Sequence, residues 1–303
     1  MTVQVANAPC SYGAFEFTVG IDANVPDGIG VLDSVAAAGY AGIDLGPVGY
    51  LGGRSELGSR LAQRNLSLAG GYVPLPFSDP EALAEQIGYL DSMLDILDAT
   101  QPGEFPAKPT LADAGSPERL ANPGVAAANK ALGLGEAGWR RFGSGLEQAV
   151  IKCRERGYEP AFHHHLGTYV EAVWEIERVL ELSDVGLCLD TGHLLAGGGS
   201  PVTALRDWSS RINHVHLKDC DTRLLAQIVA ARAPMEEIWR RRAFVALGAG
   251  DAGMDEVLRA IRDIGYSGWL VVEQDIFPDP SETAAEVSAR QAANRDWLKD
   301  HGI

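Results

Sequence analysis

The stretch that decides the fold runs from residue 161 to residue 219 and reads AFHHHLGTYVEAVWEIERVLELSDVGLCLDTGHLLAGGGSPVTALRDWSSRINHVHLKD. Three short apolar runs in it each end in ionisable residues. Ala161-Phe162 leads into His163, His164 and His165; Val185–Leu189 leads into Asp190, Thr191, Gly192 and His193; Ile212–Val215 leads into His216, Leu217, Lys218 and Asp219. A buried strand must be largely apolar, because unpaired polar groups are costly away from water. A strand that ends in a carboxylate or an imidazole therefore delivers that group to a place where it is used. In barrels of alternating strands and helices, that place is the C-terminal rim. A single such histidine reads equally well as an ordinary hydrogen-bonded rim residue. Three consecutive strand ends of this kind, with a fourth at Glu273, point to a shared site.

The same alternation extends outward in both directions. Val3–Ala8 reads as the first strand, followed by a loop of small residues, Pro9–Gly13, suited to close approach of backbone to a ligand. Ala41–Leu45, Leu66–Val73 and Thr110–Asp113 read as the next three strands, and Gly268–Glu273 as the last. Apolar residues at spacings of three and four predict helices over 30–39, 54–64, 79–99, 139–156, 169–182, 201–210, 254–264 and 282–299. Asp79 followed by Pro80 is a helix start. The expectation is an α/β fold, a (β/α)8 TIM barrel in a single domain over 1–303. A helical insertion at 222–243, broken near Pro234, follows strand seven, and a helix ends the chain. About 250 residues suffice for such a barrel. The Pro- and Gly-rich segment 101–125 is read as a long rim loop, since the alternation continues on both sides of it. The insertion is either a lid or a contact in a homo-oligomer.

Composition narrows the function. The formal net charge is −16, from 41 acidic and 25 basic residues. Nucleic-acid binding wants a basic face, so no nucleic-acid partner is expected; Arg240-Arg241-Arg242 suits a helix C-terminus instead. No run of eighteen apolar residues suggests a membrane span, and the first residues lack the pattern of a secretion signal. Four cysteines (10, 153, 188 and 220) are scattered without a CxxC pair, which fits a reducing cytoplasm.

Asp190, His216 and Glu273 offer a hard, mixed oxygen and nitrogen donor set suited to Mn2+, Mg2+, Co2+ or Zn2+. A fourth ligand is expected from the fifth strand or its loop, where His163, His165 and Glu171 are the candidates. Alternation along the strand turns His163 and His165 to one face and His164 to the other. A divalent metal at such a rim polarises a carbonyl, and a neighbouring carboxylate or imidazole takes the adjacent proton. The resulting enediolate leads to epimerisation, isomerisation or loss of a β-hydroxyl. No Gly-x-Ser-x-Gly elbow or phosphate-binding loop is present. Gly248–Gly253 matches GxGxxG, but no further βαβ units follow to complete a nucleotide fold.

The strand ends CLDTGH, HVHLKD and LVVEQD resemble the xylose-isomerase-like TIM-barrel superfamily of sugar phosphate isomerases and epimerases. FHHHLGT, NAPCSYGAFE and LGPVGYLG resemble its inosose dehydratase branch, and LGAGD resembles that family's Gly-x-Gly loop. The resemblance covers about residues 3–280. It implies Asp190, His216 and Glu273 as metal ligands, Glu273 also as base, and His193 as a substrate contact. The isomerases' fifth-strand Glu is missing; His163 stands near its place. Glu171 is then the expected fourth ligand, His163 or His165 the acid/base, and Lys218 and Tyr12 further substrate contacts. The expected activity is a Mn2+-dependent dehydration of a keto-cyclitol, with keto-sugar isomerisation or epimerisation by the same chemistry as the alternative. A silent sugar-binding barrel is the reading from another class.

Overall fold

The computed structural model describes residues 2–100 and 103–303. Its strands are β1 (Val3–Asn7), β2 (Gly42–Ile43), β3 (Ser67–Leu68), β4 (Gly70–Leu75), β5 (Lys108–Asp113), β6 (Ala161–His163), β7 (Gly186–Asp190), β8 (Ile212–Leu217), β9 (Asp219–Cys220), β10 (Phe244–Val245) and β11 (Gly268–Val272). Nine of them form one sheet in the order β3-β2-β1-β11-β8-β7-β6-β5-β4, with every pair parallel. The two ends of that order, β3 and β4, are consecutive in the chain and separated only by Ala69. The Ala69 N–H donates to the Ile43 carbonyl, and its own carbonyl accepts from the Lys108 N–H. The sheet therefore closes on itself, and helices surround it: this is an α/β TIM barrel, as expected. No helix of the described residues is long and apolar enough to cross a membrane.

Strand alternation sets what faces inward. Trp269, Val271 and Glu273 share one face of β11 and its extension. Trp269 is 1% exposed and fills the barrel floor beside Ala6, Ala8 and Ala69. A Cβ on Gly42 would stand 2.7 Å from the Trp269 ring, so that strand position needs glycine for room. Four residues along, the same face carries Glu273 at the mouth. His214 and His216 on β8, with Lys218 just beyond it, repeat the pattern; so do Cys188 and Asp190 on β7.

The boundaries differ from expectation in instructive places. The helix expected over 79–99 is two, Pro80–Gln86 and Gly88–Asp98, broken at Ile87 before Gly88; the first is capped by Asp79, which accepts from the Glu81 and Ala82 N–H groups. The strand expected at Thr110–Asp113 is longer, Lys108–Asp113, because it pairs along its whole length with β4 and tertiary pairing outweighs weak propensity. β7 runs straight into a helix, Thr191–Ala196, where a loop was expected. The insertion forms two helices, Thr222–Ala230 and Met235–Arg240, on either side of the break near Pro234. The ribbon β9–β10 ties its ends together. Cys220 lies in that ribbon fully buried.

The GxGxxG segment wraps a carboxylate of the chain itself. Asp219 Oδ2 accepts from the Gly248 and Gly250 N–H groups, and Oδ1 from the Ala252 N–H, each at 3.0 Å. A Cβ on Gly250 would lie 2.4 Å from Asp219 Oδ1. The nest of amides that would cradle a phosphate is filled by an aspartate.

Asp113, at the end of β5, accepts from the Gly115 and Tyr169 N–H groups, both at Oδ1. Burial pushes its carboxyl up from its ordinary value to about 6, against the pull of those amides. The folded state thus holds the proton more tightly than the unfolded chain. Stability from this group is present at low pH and is lost as pH rises through about 6. Asp113→Asn keeps an acceptor for both amides and removes the charge. It is expected to raise stability at pH 7–8 by on the order of 1–2 kcal/mol, with no gain at pH 4, in urea melts across pH.

Candidate active site

Asp190 is placed by its own helix. As N-cap of Thr191–Ala196 it accepts from the His193 N–H through Oδ1 at 2.8 Å, which orients the carboxylate and leaves Oδ2 facing the barrel mouth. There Oδ2 stands 3.6 Å from His163 Nε2, 3.8 Å from His216 Nδ1 and 3.3 Å from Lys218 Nζ. Glu273 Oε2 lies 3.2 Å from His216 Nδ1 and 2.9 Å from Lys218 Nζ. One ligand atom from each of His163, Asp190, His216 and Glu273 falls within 4.8 Å of all the others. The three ligands expected from separate strands therefore converge on one point, and His163 completes the set.

The donor set fits a divalent cation on two observations. Asp190 Oδ2 and both ring nitrogens of His163 and of His216 are buried with no hydrogen-bond partner among the described residues. Buried polar groups left without partners are rare in folded proteins, and here they converge. Second, the carboxylates outnumber the cations: Asp190, Glu273 and Asp275 surround a single lysine, Lys218. Against the upward push of burial, Lys218 holds Asp190 well below the usual carboxylate range; His216 and Lys218 do the same for Glu273. Both are ionised at neutral pH. Burial pulls His163 down to about 4, so it is a neutral imidazole, the form that ligates metals.

A second group, His165, His193 and Asp275, adjoins the first. The His165 and His193 rings lie 3.8 Å apart between centroids. Lys218 joins the two groups, reaching His193 Nε2 and Asp275 Oδ2 at 3.0 Å each. Burial pushes Lys218 down, but Asp190, Asp275 and Glu273 hold it well above its ordinary value. Burial also pulls His165 down to about 4. His164 turns away from the cavity, as alternation requires, and its Nε2 accepts from the Asp190 N–H at 3.2 Å. The strand itself stops at His163.

Two sequence expectations are corrected. Glu171 does not join the cluster. Its carboxylate accepts from the Gly167, Ala126 and Gly124 N–H groups and lies 3.3 Å from the Arg119 guanidinium. With its oxygens committed there, it is a buried strut under the histidine loop. Tyr12 is no substrate contact either: the 3-10 turn Pro9–Tyr12 tucks its ring into the main apolar core, 2% exposed.

A small cavity of about 100 Å3 lies over these groups. It is also lined by two residues not singled out beforehand, Asp44 and Tyr72. Asp44 Oδ2 lies 3.7 Å from His216 Nε2, and burial pushes its carboxyl up to about 7. Its signal was in the sequence, a carboxylate near the end of the second strand. Tyr72 packs edge-on against His163 at 5.7 Å; only its inward register on β4 could have marked it.

Known proteins resemble this chain. The chain is 29% identical over 252 residues to the inosose dehydratase of Geobacillus kaustophilus, covering 82% of this chain and 80% of that protein. It is 34% identical over 146 residues to an inosose dehydratase of Bacillus cereus, covering 47% of this chain and about half, 49%, of that protein. Among solved structures it superposes on the IOLI protein with a bound zinc atom at a TM-score of 0.71 and 15% identity, covering 96% of each chain, a likeness of fold. Residues 32–301 match the family described as xylose isomerase-like TIM barrel, and the chain belongs to that family.

Proposed function

We propose that this protein removes a proton next to the carbonyl of a keto-sugar or keto-cyclitol, and that its reaction is the dehydration of an inosose. That it is an enzyme follows from its curated relatives, which are inosose dehydratases. The observation that carries the finer reading is the convergence of His163, Asp190, His216 and Glu273, with orphaned ligand atoms, beside Lys218 in one cavity. These four residues would hold a divalent cation, Mn2+ by first choice and Mg2+, Co2+ or Zn2+ otherwise. When bound, it supplies Lewis-acid polarisation of the substrate carbonyl.

The chain's own groups do the rest. Glu273, ionised, takes the proton from the carbon next to the carbonyl. Lys218 holds a substrate oxygen and balances the negative charge that develops there. His165 and His193 face the same space and accept hydrogen bonds from the substrate hydroxyls, and the departing β-hydroxyl leaves as water with the proton that Glu273 took from carbon. Burial keeps both imidazoles neutral; the His165 Nδ1–H donates to the Leu166 carbonyl and leaves Nε2 as an acceptor.

The test is a weighing of the product. With 2-keto-myo-inositol and Mn2+, the expected product is lighter than its substrate by one water, and a chelator abolishes its formation. A product of unchanged mass would replace dehydration by isomerisation or epimerisation; turnover undiminished by chelator would remove the metal from the account.

A further inference from the structure

The insertion after β8 carries its own small apolar core, and that core reaches the cavity at two points. Phe244 packs against His193, with centroids 5.1 Å apart, and lies 5.0 Å beneath the Lys218 ammonium. Trp239 packs on Phe15, with centroids 5.1 Å apart. Phe15 in turn stacks on Phe17 at 5.2 Å with the two planes 4° apart, and Phe277 closes the group at 5.8 Å from Phe17 and 5.9 Å from Trp239. Of these four rings, Phe15 lines the cavity. The stack stays partly in water: Phe17 is 46% exposed. Burial in a core would have stabilised the fold more than this half-open arrangement does.

The cavity lining divides by element. Loops after β1 and β2 supply Ala8, Pro9, Cys10, Ala14, Phe15 and Gly46, an apolar wall that holds one carboxyl, Asp44. The polar groups come from the later strands. Around the closed sheet, β1 stands four positions from β6, so the Phe15 loop lies across the ring from His163 and His165. A ligand here must show carbon to one side and oxygens to the other. A cyclitol ring does so: its equatorial oxygens form a rim and its C–H bonds form two flat apolar faces. An extended ketose of few carbons has no such face. Aromatic rings pack against flat apolar faces with a preference beyond area alone.

We infer that Phe15, held by Trp239, Phe17 and Phe277, is a specificity-determining residue that selects ring-shaped ketones, and that the insertion exists at this site to brace it. The inference rests on the site acting on keto-cyclitols. Its test compares wild type, Phe15→Ala, Phe15→Leu and Trp239→Ala in Mn2+. The two ketones are 2-keto-myo-inositol and erythrulose, a four-carbon ketose too short to close a stable ring. Both kcat/KM and calorimetric Kd are measured for each. Phe15→Ala is expected to weaken the ring ketone three- to tenfold in KM and Kd with kcat little changed. The ring-to-chain ratio of kcat/KM then falls at least threefold. Phe15→Leu recovers part of the loss, and Trp239→Ala gives a smaller loss of the same kind. Equal weakening of both ketones, or a loss confined to kcat, overturns the inference. Should wild type bind the cyclitol without turning it over, the proposed reaction fails, and the Kd values decide the stack by themselves: a three- to tenfold weakening upholds it, and an unchanged Kd overturns it. Binding of neither ketone removes both.

Discussion

Glu273→Gln is expected to lower kcat by roughly 100- to 10,000-fold, the span that a positioned general base contributes, while the protein stays folded. The substitution keeps the side-chain shape and replaces an ionised carboxylate that lines the cavity and accepts from no backbone amide among the described residues. Asp190 cannot take over, since the His193 N–H holds Oδ1 and the cation would engage Oδ2. Asp275 is no substitute either: burial raises its carboxyl above the usual range, so less of it is ionised at neutral pH. The variant should still bind Mn2+, more weakly, because three of the four ligands remain. Kinetics and a calorimetric Mn2+ titration on the same preparation separate the two effects. Full activity with reduced Mn2+ affinity would make Glu273 a ligand only and pass the role of base to His165 or His193.

How much of this was readable beforehand follows from how local each cause is. Asp190, His216 and Glu273 stood out because each is a polar residue at the end of an apolar run, and a barrel brings all strand ends to one rim. The facing of His163 and His165 followed from a period of two, even though the strand ends at His163. Glu171 carried the same local signal as a ligand carboxylate, yet its partner is Arg119, in the one-turn helix Pro117–Leu120, too short for any periodicity to mark it. Tyr12 was misread for a similar reason: whether a loop tyrosine turns to ligand or to core depends on one 3-10 turn. Tyr72 was hidden by the break at Ala69, which blurs the inward register, whereas Asp44 could have been read from its place near the end of the second strand. The insertion's helices were legible from Pro234 and their apolar spacing. Their contact with Phe15, at the other end of the chain, was not.

The second large effect is expected away from the chemistry. Arg119 is fully buried and grips Glu175 with two parallel hydrogen bonds, at 2.8 and 3.0 Å, while lying 3.3 Å from Glu171. Glu175 also accepts from the Glu171 and Ala172 N–H groups, and Glu171 accepts from three further amides in two loops. Those amides stabilise the carboxylates but carry no charge, so the guanidinium is the cation on which both acids depend. Arg119→Met keeps much of the volume and leaves two carboxylates buried together. Breaking a buried pair in this way costs about 3–5 kcal/mol, to be read as a lower urea midpoint with an unchanged slope. Because Glu171 fixes Gly167, two residues past His165, the loop that carries His165 loosens as well, and turnover should fall with stability even at temperatures where the variant is folded. Arg119→Lys should recover only part of either loss, since a point-like ammonium cannot reproduce the paired bonds to Glu175. If Arg119→Met instead lost stability and kept full turnover, the strut would hold the fold without holding His165 in place.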